Sequence, residues 1–390
     1  MTTASDLSRV AAIIGVDESD EMGHVPHKSS MQHHAEAADN ALRDAGLTLD
    51  DVDALFCAGV GTVSVAEYLG IVPKYTDTTS IGGSSFLAHV EHAMVAINAG
   101  LIDVALITHG EAGRSTRARA GRDATAAGSQ FEAPYGMIGA PVAYAMACSR
   151  YMHMYGADRV RQGMADVSIA TRKWALQNPK SFVNHPTWIG PADVGYEDYH
   201  ESRWIAWPFH IMDCCLVTDG GGACVVVSAD VASNAKKNPA WILGSAEGHD
   251  HQIISQMPDL TRTIAYQTGP RALEMAGVTH DDIDLAMIYD SFTYTVLTTL
   301  ESLGFCGPGE APDFVANLRT GPGGDFPMNT SGGGLSYAHT GMYGMFLLIE
   351  ATRQLRGESG DRQVEDCNLS LVHGTGGELS STATLVLSNS

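Results

Sequence analysis

Two glycine-rich turns carry the first chemical signal in this chain. One reads Ser80-Ile81-Gly82-Gly83-Ser84-Ser85 and precedes an expected helix over 86–99, a hydrophobic strand over 103–108 and the pair His109-Gly110. The other reads Ser331-Gly332-Gly333-Gly334 and precedes an expected helix over 341–355, a strand over 368–372 and the pair His373-Gly374. Paired glycines ahead of a helix permit a tight turn and leave backbone N–H groups free to face a cleft. Backed by the helix dipole, such amides can hold an oxyanion. Gly83, Ser84 and the turn around Gly376 are candidates for that role. The plainer alternative is that these glycines only let buried helices pack closely.

Asp290 ends a hydrophobic run over 285–289, and strand ends at a sheet crevice are good places for chemistry. Otherwise it caps the next helix. Tyr294 lies four residues on, one helical turn away, so both can face one cleft. A phenol there could donate to an enolate or, with a lowered pKa, take a proton from a hydroxyl. Tyr337 and Tyr343 are rivals for that part. His89 and His92 are three apart, but no cysteine or acid completes a metal shell, so no metal site is expected. Cys214 and Cys215 are adjacent, and neighbours in a strand point opposite ways, so they read as structural.

The elements that must position these groups show an internal echo. Residues 41–53, ALRDAGLTLDDVD, and 272–284, ALEMAGVTHDDID, agree at eight of thirteen positions with an offset of 231. Each copy is a helix end, a Gly suited to a left-handed C-cap (Gly46, Gly277), an acidic turn and a hydrophobic run. We expect two similar halves, 1–235 and 236–390, the first carrying a long insertion over about 111–205. Strands are expected at 10–16, 54–57, 103–108, 223–227, 240–244, 368–372 and 384–387, and helices at 33–45, 137–155 and 165–176.

The formal charge is −22, from 45 acidic and 23 basic residues. That argues against nucleic acid or an anionic membrane as the main partner. No apolar run suits a membrane span or signal peptide. The seven cysteines form no CxxC pair, which fits a cytoplasmic protein without disulfides.

Several stretches then carry a resemblance. Gly332-Gly333-Gly334-Leu335-Ser336-Tyr337-Ala338-His339-Thr340-Gly341-Met342 resembles the GGxxxxGHPxG segment of the thiolase superfamily. Cys214 to Gly221, Asn178-Pro179-Lys180 and Tyr289-Asp290-Ser291-Phe292-Thr293 resemble its sterol-carrier-protein branch. The resemblance spans essentially the whole chain. It implies an α/β thiolase-like fold of two pseudo-twofold βαβαβαββ halves in αβαβα layers. It further implies a homodimer acting on acyl-CoA thioesters, with coenzyme A as part of the substrate and no tightly bound cofactor. His339 is implied to hold the thioester oxygen and support proton movement. His373 falls where thiolases proper have their second cysteine and keeps proton-transfer capacity. Asp290 is implied to hold a water.

The departure is at the nucleophile, whose position falls on Gly83. A glycine cannot form an acyl-enzyme. The chain therefore looks like the steroid side-chain aldolases of this branch. These cleave β-hydroxyacyl-CoA without acyl transfer and work with a small OB-fold, zinc-ribbon protein, here implying a heterotetramer. The expected reaction is retro-aldol cleavage by Tyr294 or His373, with His339, Asp290-bound water and turn amides holding the enolate. Two alternatives are a thiolase or acyltransferase with a displaced nucleophile and a non-catalytic acyl-CoA-binding scaffold subunit.

Overall fold

A computed structural model describes residues 7–116 and 124–390. Its strands are β1 (Ala11–Glu18), β2 (Ala54–Cys57), β3 (Tyr75–Asp77), β4 (Val104–Glu111), β5 (Trp204–Ala206), β6 (Phe209–His210), β7 (Gly220–Ser228), β8 (Ala240–His249), β9 (Leu285–Ile288), β10 (Leu369–Gly376) and β11 (Ser381–Ser388). Nine form one mixed sheet in the order β3-β2-β4-β7-β1-β8-β11-β10-β9, and β5 pairs with β6. β1 and β8 meet over only two residue pairs, Ala12 with Trp241 and Ile13 with Ala240.

Side-chain alternation along each strand supplies two hydrophobic faces. Ala11 and Ile13 face one core; Ala12 and Ile14 face another. The first core holds helices Ser85–Asn98 and Gly344–Leu355, which are apolar on most sides and therefore buried. On the opposite face, helix Ser30–Ala45 covers the first half of the sheet. Helices Ala265–Ala276, Thr293–Leu303, Ala140–Tyr155 and Ala157–Leu176 cover the second.

The repeated segments fold alike. Helices Ser30–Ala45 and Ala265–Ala276 end on Gly46 (φ 73°) and Gly277 (φ 70°). Short 3-10 turns with Thr48–Asp51 and Thr279–Asp282 capping boxes then lead into β2 and β9. Gly15 and Gly244 let each strand press on its helix: a Cβ there would lie 2.3 Å from the Ala41 carbonyl or 2.0 Å from that of Ala272.

Some boundaries differ from expectation. The helix expected from 341 begins at Gly344, because 338–343 is drawn into the site as loop, and the one expected from 165 begins at Ala157. Residues Gly333–Tyr337 form a single π-turn that hydrophobic periodicity does not reveal. Among the described residues no helix is long and apolar enough to cross a membrane.

Candidate active site

The first glycine-rich turn meets the turn around Gly376. A Cβ on Gly82 (φ 74°) would lie 2.5 Å from the Gly377 amide nitrogen, and one on Gly376 only 1.7 Å from the Ile81 carbonyl. Beside this junction opens a cleft of about 550 Å³, lined by Gly82, Gly83, Gly376, Gly377, Tyr289 and His339 among others. Ala140, Pro141, Arg203 and Ile205 roof it from the insertion. The N–H groups of Gly82, Gly83 and Gly377 find no acceptor among the described residues. They are available to a ligand oxygen.

Gly83 explains what replaces the missing sulfur. A Cβ at this position would lie 2.0 Å from Cε2 of Tyr289 and 2.6 Å from its Cζ. The phenol ring therefore fills the space that a nucleophilic side chain would occupy. Tyr289 follows β9, and strand alternation places it on the inner face with Leu285 and Met287.

The Tyr289 hydroxyl lies 2.9 Å from Nε2 of His339 and accepts the Tyr343 N–H at 3.1 Å. Tyr343 is the N-cap of helix Gly344–Leu355, so the phenol oxygen sits at the positive end of a helix. Burial lowers the His339 pKa to about 4 and raises that of Tyr289. The resting pair is thus a phenol donating to a neutral imidazole. Thr218 holds the histidine in place: its Oγ1 accepts the His339 N–H at 3.0 Å, and its own N–H donates to the His339 carbonyl at 2.9 Å. The Tyr343 ring stacks on His339 at 6.2 Å.

Other expected residues lie elsewhere or do other work. Tyr294 points away from the cleft: its hydroxyl donates to the Leu260 carbonyl at 2.8 Å, and its ring packs on Tyr151. The pairing of Asp290 with Tyr294 fails because the helix starts only at Thr293, so Asp290 is not on it. His373 also faces away. Its Nδ1 lies 2.8 Å from Thr384 Oγ1, itself 3.0 Å from Thr268 on the outer helix. Alternation along β10 puts Val372 inside and His373 with Leu371 on the outer face.

Asp290 does not line the cleft but holds the π-turn. Its Oδ1 accepts the Gly334 N–H at 2.7 Å and its Oδ2 the Leu335 N–H at 3.2 Å. Burial pushes its pKa up to about 7 against these two donors. The Tyr343 hydroxyl is turned to Ser331 at 3.0 Å, so its backbone N–H and ring face, not its hydroxyl, meet Tyr289 and His339. Tyr337 is core, edge-on to Phe346.

The remaining nucleophile candidates are occupied or unactivated. Ser84 is tied to Ser381 Oγ at 2.9 Å and the Ile81 carbonyl at 3.1 Å, and Ser85 to the Gly82 carbonyl at 2.6 Å. Cys214 and Cys215 both line the cleft. Burial pushes the Cys214 thiol up to about 12, and burial, then Cys214 and Asp290, raise Cys215 further; Cys214 Sγ donates to the His210 carbonyl at 3.4 Å, and neither thiol meets an imidazole among the described residues. His89 donates toward the Thr79 carbonyl and His92 pairs with Asp77, both outside the cleft. Among the described residues no cluster of three metal-ligating side chains forms.

The chain is similar to known proteins along nearly its whole length. Residues 246–389 match the family described as thiolase C-terminal domain-like. The 17-hydroxy-3-oxo-4-pregnene-20-carboxyl-CoA lyase of Mycobacterium tuberculosis is 35% identical over 90% of this chain and 93% of its own. The steroid side-chain-cleaving aldolase of Thermomonospora curvata is 34% identical over 95% and 97%. The chain belongs to this aldolase branch of the thiolase superfamily. A solved structure of the Ltp2-ChsH2(DUF35) aldolase overlays with a TM-score of 0.89, at 33% identity over 98% of both chains. The α/β sheet with helical layers is thus thiolase-like, and the chain is an enzyme of the carbon–carbon lyase type rather than an acyltransferase.

Proposed function

We propose that the chain cleaves a β-hydroxyacyl-CoA into a shorter acyl-CoA and a ketone or aldehyde, with Tyr289 and His339 as the proton-transfer pair. The observation that carries this reading is the Tyr289 phenol in the volume left by Gly83, bonded to neutral His339. The β-hydroxyl gives its proton to the Tyr289 oxygen while Tyr289 passes its own to His339 Nε2. The Cα–Cβ bond breaks, its electron pair forms the thioester enolate, and the β-carbon becomes a carbonyl. Amides of Gly83 and Gly377 hold the enolate oxygen. The proton returns from His339 through Tyr289 to Cα, restoring the resting pair. No acyl-enzyme forms.

The test follows both halves of a β-hydroxyacyl-CoA, scoring carbonyl release and intact-protein mass. Carbonyl release with unmodified protein is expected. An acyl adduct on Ser84, Ser85 or Cys215, with consumption of free coenzyme A as a 3-oxoacyl-CoA is cleaved, would instead establish a thiolase.

The reading extends to assembly. The two similar segments support halves of 1–235 and 236–390 related by a pseudo-twofold βαβαβαββ plan. The aldolase with the similar structure is named for two components. In this chain Phe131 (65% exposed), Tyr135 (86%), Trp204 (50%) and Trp207 (60%) leave aromatic surface in water on, and just after, the insertion that roofs the cleft. A small OB-fold, zinc-ribbon partner covering them would complete a heterotetramer around a cytoplasmic homodimer. Co-expression with such a partner, followed by sizing, checks the stoichiometry.

A further inference from the structure

We propose that a second cavity beside the cleft recognises a carboxylate on the part of the substrate beyond Cβ, with Arg172 as the selecting residue. This rests on the lyase reading above. The cavity, of about 650 Å³, shares a wall with the cleft that includes Arg203, Cys215 and Leu216. Its walls include Ile189, Val194, Met212 and Leu335.

Arg172 comes from helix Ala157–Leu176 and is only 7% exposed, yet every acceptor it meets is neutral. Its Nε donates to Ser336 Oγ at 2.9 Å, and its Nη1 to the carbonyls of Pro191 and Ala192 at 3.2 and 3.3 Å. Nη2 has no acceptor among the described residues, although it is not sealed from the cavity. The guanidinium lies over Trp188, 5.4 Å from the ring centre. Burial lowers its pKa to about 10, which leaves it charged at neutral pH.

A buried cation without a counter-charge is costly and calls for a ligand. The acid that acts on it, Asp193, is engaged by Lys173 at 3.7 Å. Asp198 and Glu201 also line the cavity, but neither pairs with Arg172, and Asp198 takes the Gly195 N–H. Arg203, on the shared wall, has no side-chain partner among the described residues. A planar fork with a free donor matches a carboxylate oxygen better than a ketone's weaker dipole. Position points to the acyl side. Arg172 holds Ser336, two residues from the Gly334 amide that binds Asp290. The phosphates of coenzyme A lie at the far end of the pantetheine arm from the thioester.

The test compares a β-hydroxyacyl-CoA ending in a carboxylate with its methyl ester, in wild type and Arg172→Gln, with any co-purifying partner present. The ratio of kcat/KM for acid over ester should fall at least tenfold in the variant and recover in part with Arg172→Lys. Calorimetry with a cyclohexanone carrying a propionate side chain should show binding to wild type and at least tenfold weaker binding to Arg172→Gln. Equal falls for acid and ester, or equal binding of the keto acid, would overturn the proposal. So would a defect seen with coenzyme A thioesters but not with pantetheine thioesters, which would assign the site to phosphate. Arg172-dependent binding of the keto acid without any cleavage would keep this site and sink the lyase reading.

Discussion

The two repeated segments fold alike, but the stretches of chain that follow them in the first and second half of the sequence serve different ends. In the first half the glycine-rich turn offers backbone amides but no free side chain: Ser84 and Ser85 are tied down, and strand-end His109 is held by Thr340 at 2.7 Å. In the second half the strand end supplies Tyr289, the π-turn is pinned by Asp290, and the following loop supplies His339. What the first half contributes is room. Gly83 is the space into which a side chain of the other half is inserted. On the reading proposed above, the chemistry rests on that inserted ring rather than on a side chain at position 83.

The largest test of that contrast is Tyr289→Phe. It should cost about 10³-fold in kcat, in the range of general acid–base contributions, with fold retained by circular dichroism. A small effect would return the proton transfer to another group and break the contrast. Gly83→Ala should follow, losing about 10²-fold in activity because the ring is displaced. Crowding against Tyr289 and the Thr375 carbonyl should also lower stability by about 1–3 kcal/mol in denaturant titration. His373→Gln should be far milder, leaving kcat within about threefold and costing about 1 kcal/mol for the Thr384 bond. A loss matching that of Tyr289→Phe would place His373 in the chemistry after all.

The smallest effect on turnover comes from a group that acts on stability alone, and it shows with pH. Burial lowers His109 to about 3, so between that value and 6.5 the unfolded chain binds a proton that the folded chain refuses. Stability from this group is therefore complete above 6.5 and drains away as pH falls. Replacing it in His109→Gln should flatten the slope of unfolding free energy against pH by up to about 1.4 kcal/mol per unit across that window. An unchanged slope would mean the imidazole is protonated in place.

Much of the scaffold was legible because its signals are local. Gly46 and Gly277, with the Thr-x-x-Asp caps after them, mark the same helix stop twice, and the hydrophobic runs became strands. The meeting of Gly82 with Gly376 was not legible, since it joins residues nearly three hundred apart. Asp290 was found at its strand end, but its ligand is a turn more than forty residues on. Tyr289 was passed over for Tyr294, although two signals pointed to it. A glycine at a nucleophile position leaves a void that something must fill, and period-two alternation from Leu285 puts residue 289 inward. The same alternation applied to β10 turns His373 outward. Arg172 gave no sequence signal, because an arginine on an amphipathic helix reads as surface until its neighbours are known.

The contact of Gly82 with Gly377 has a consequence for how the enzyme fails. Two glycines from opposite ends of the chain touch with no side chain between them to take up slack. Any loosening of one half against the other separates the amides from the phenol before it melts either half. Gentle heat or dilute denaturant should therefore silence turnover while the helical signal is still intact, making activity the more sensitive gauge of how tightly the halves are docked.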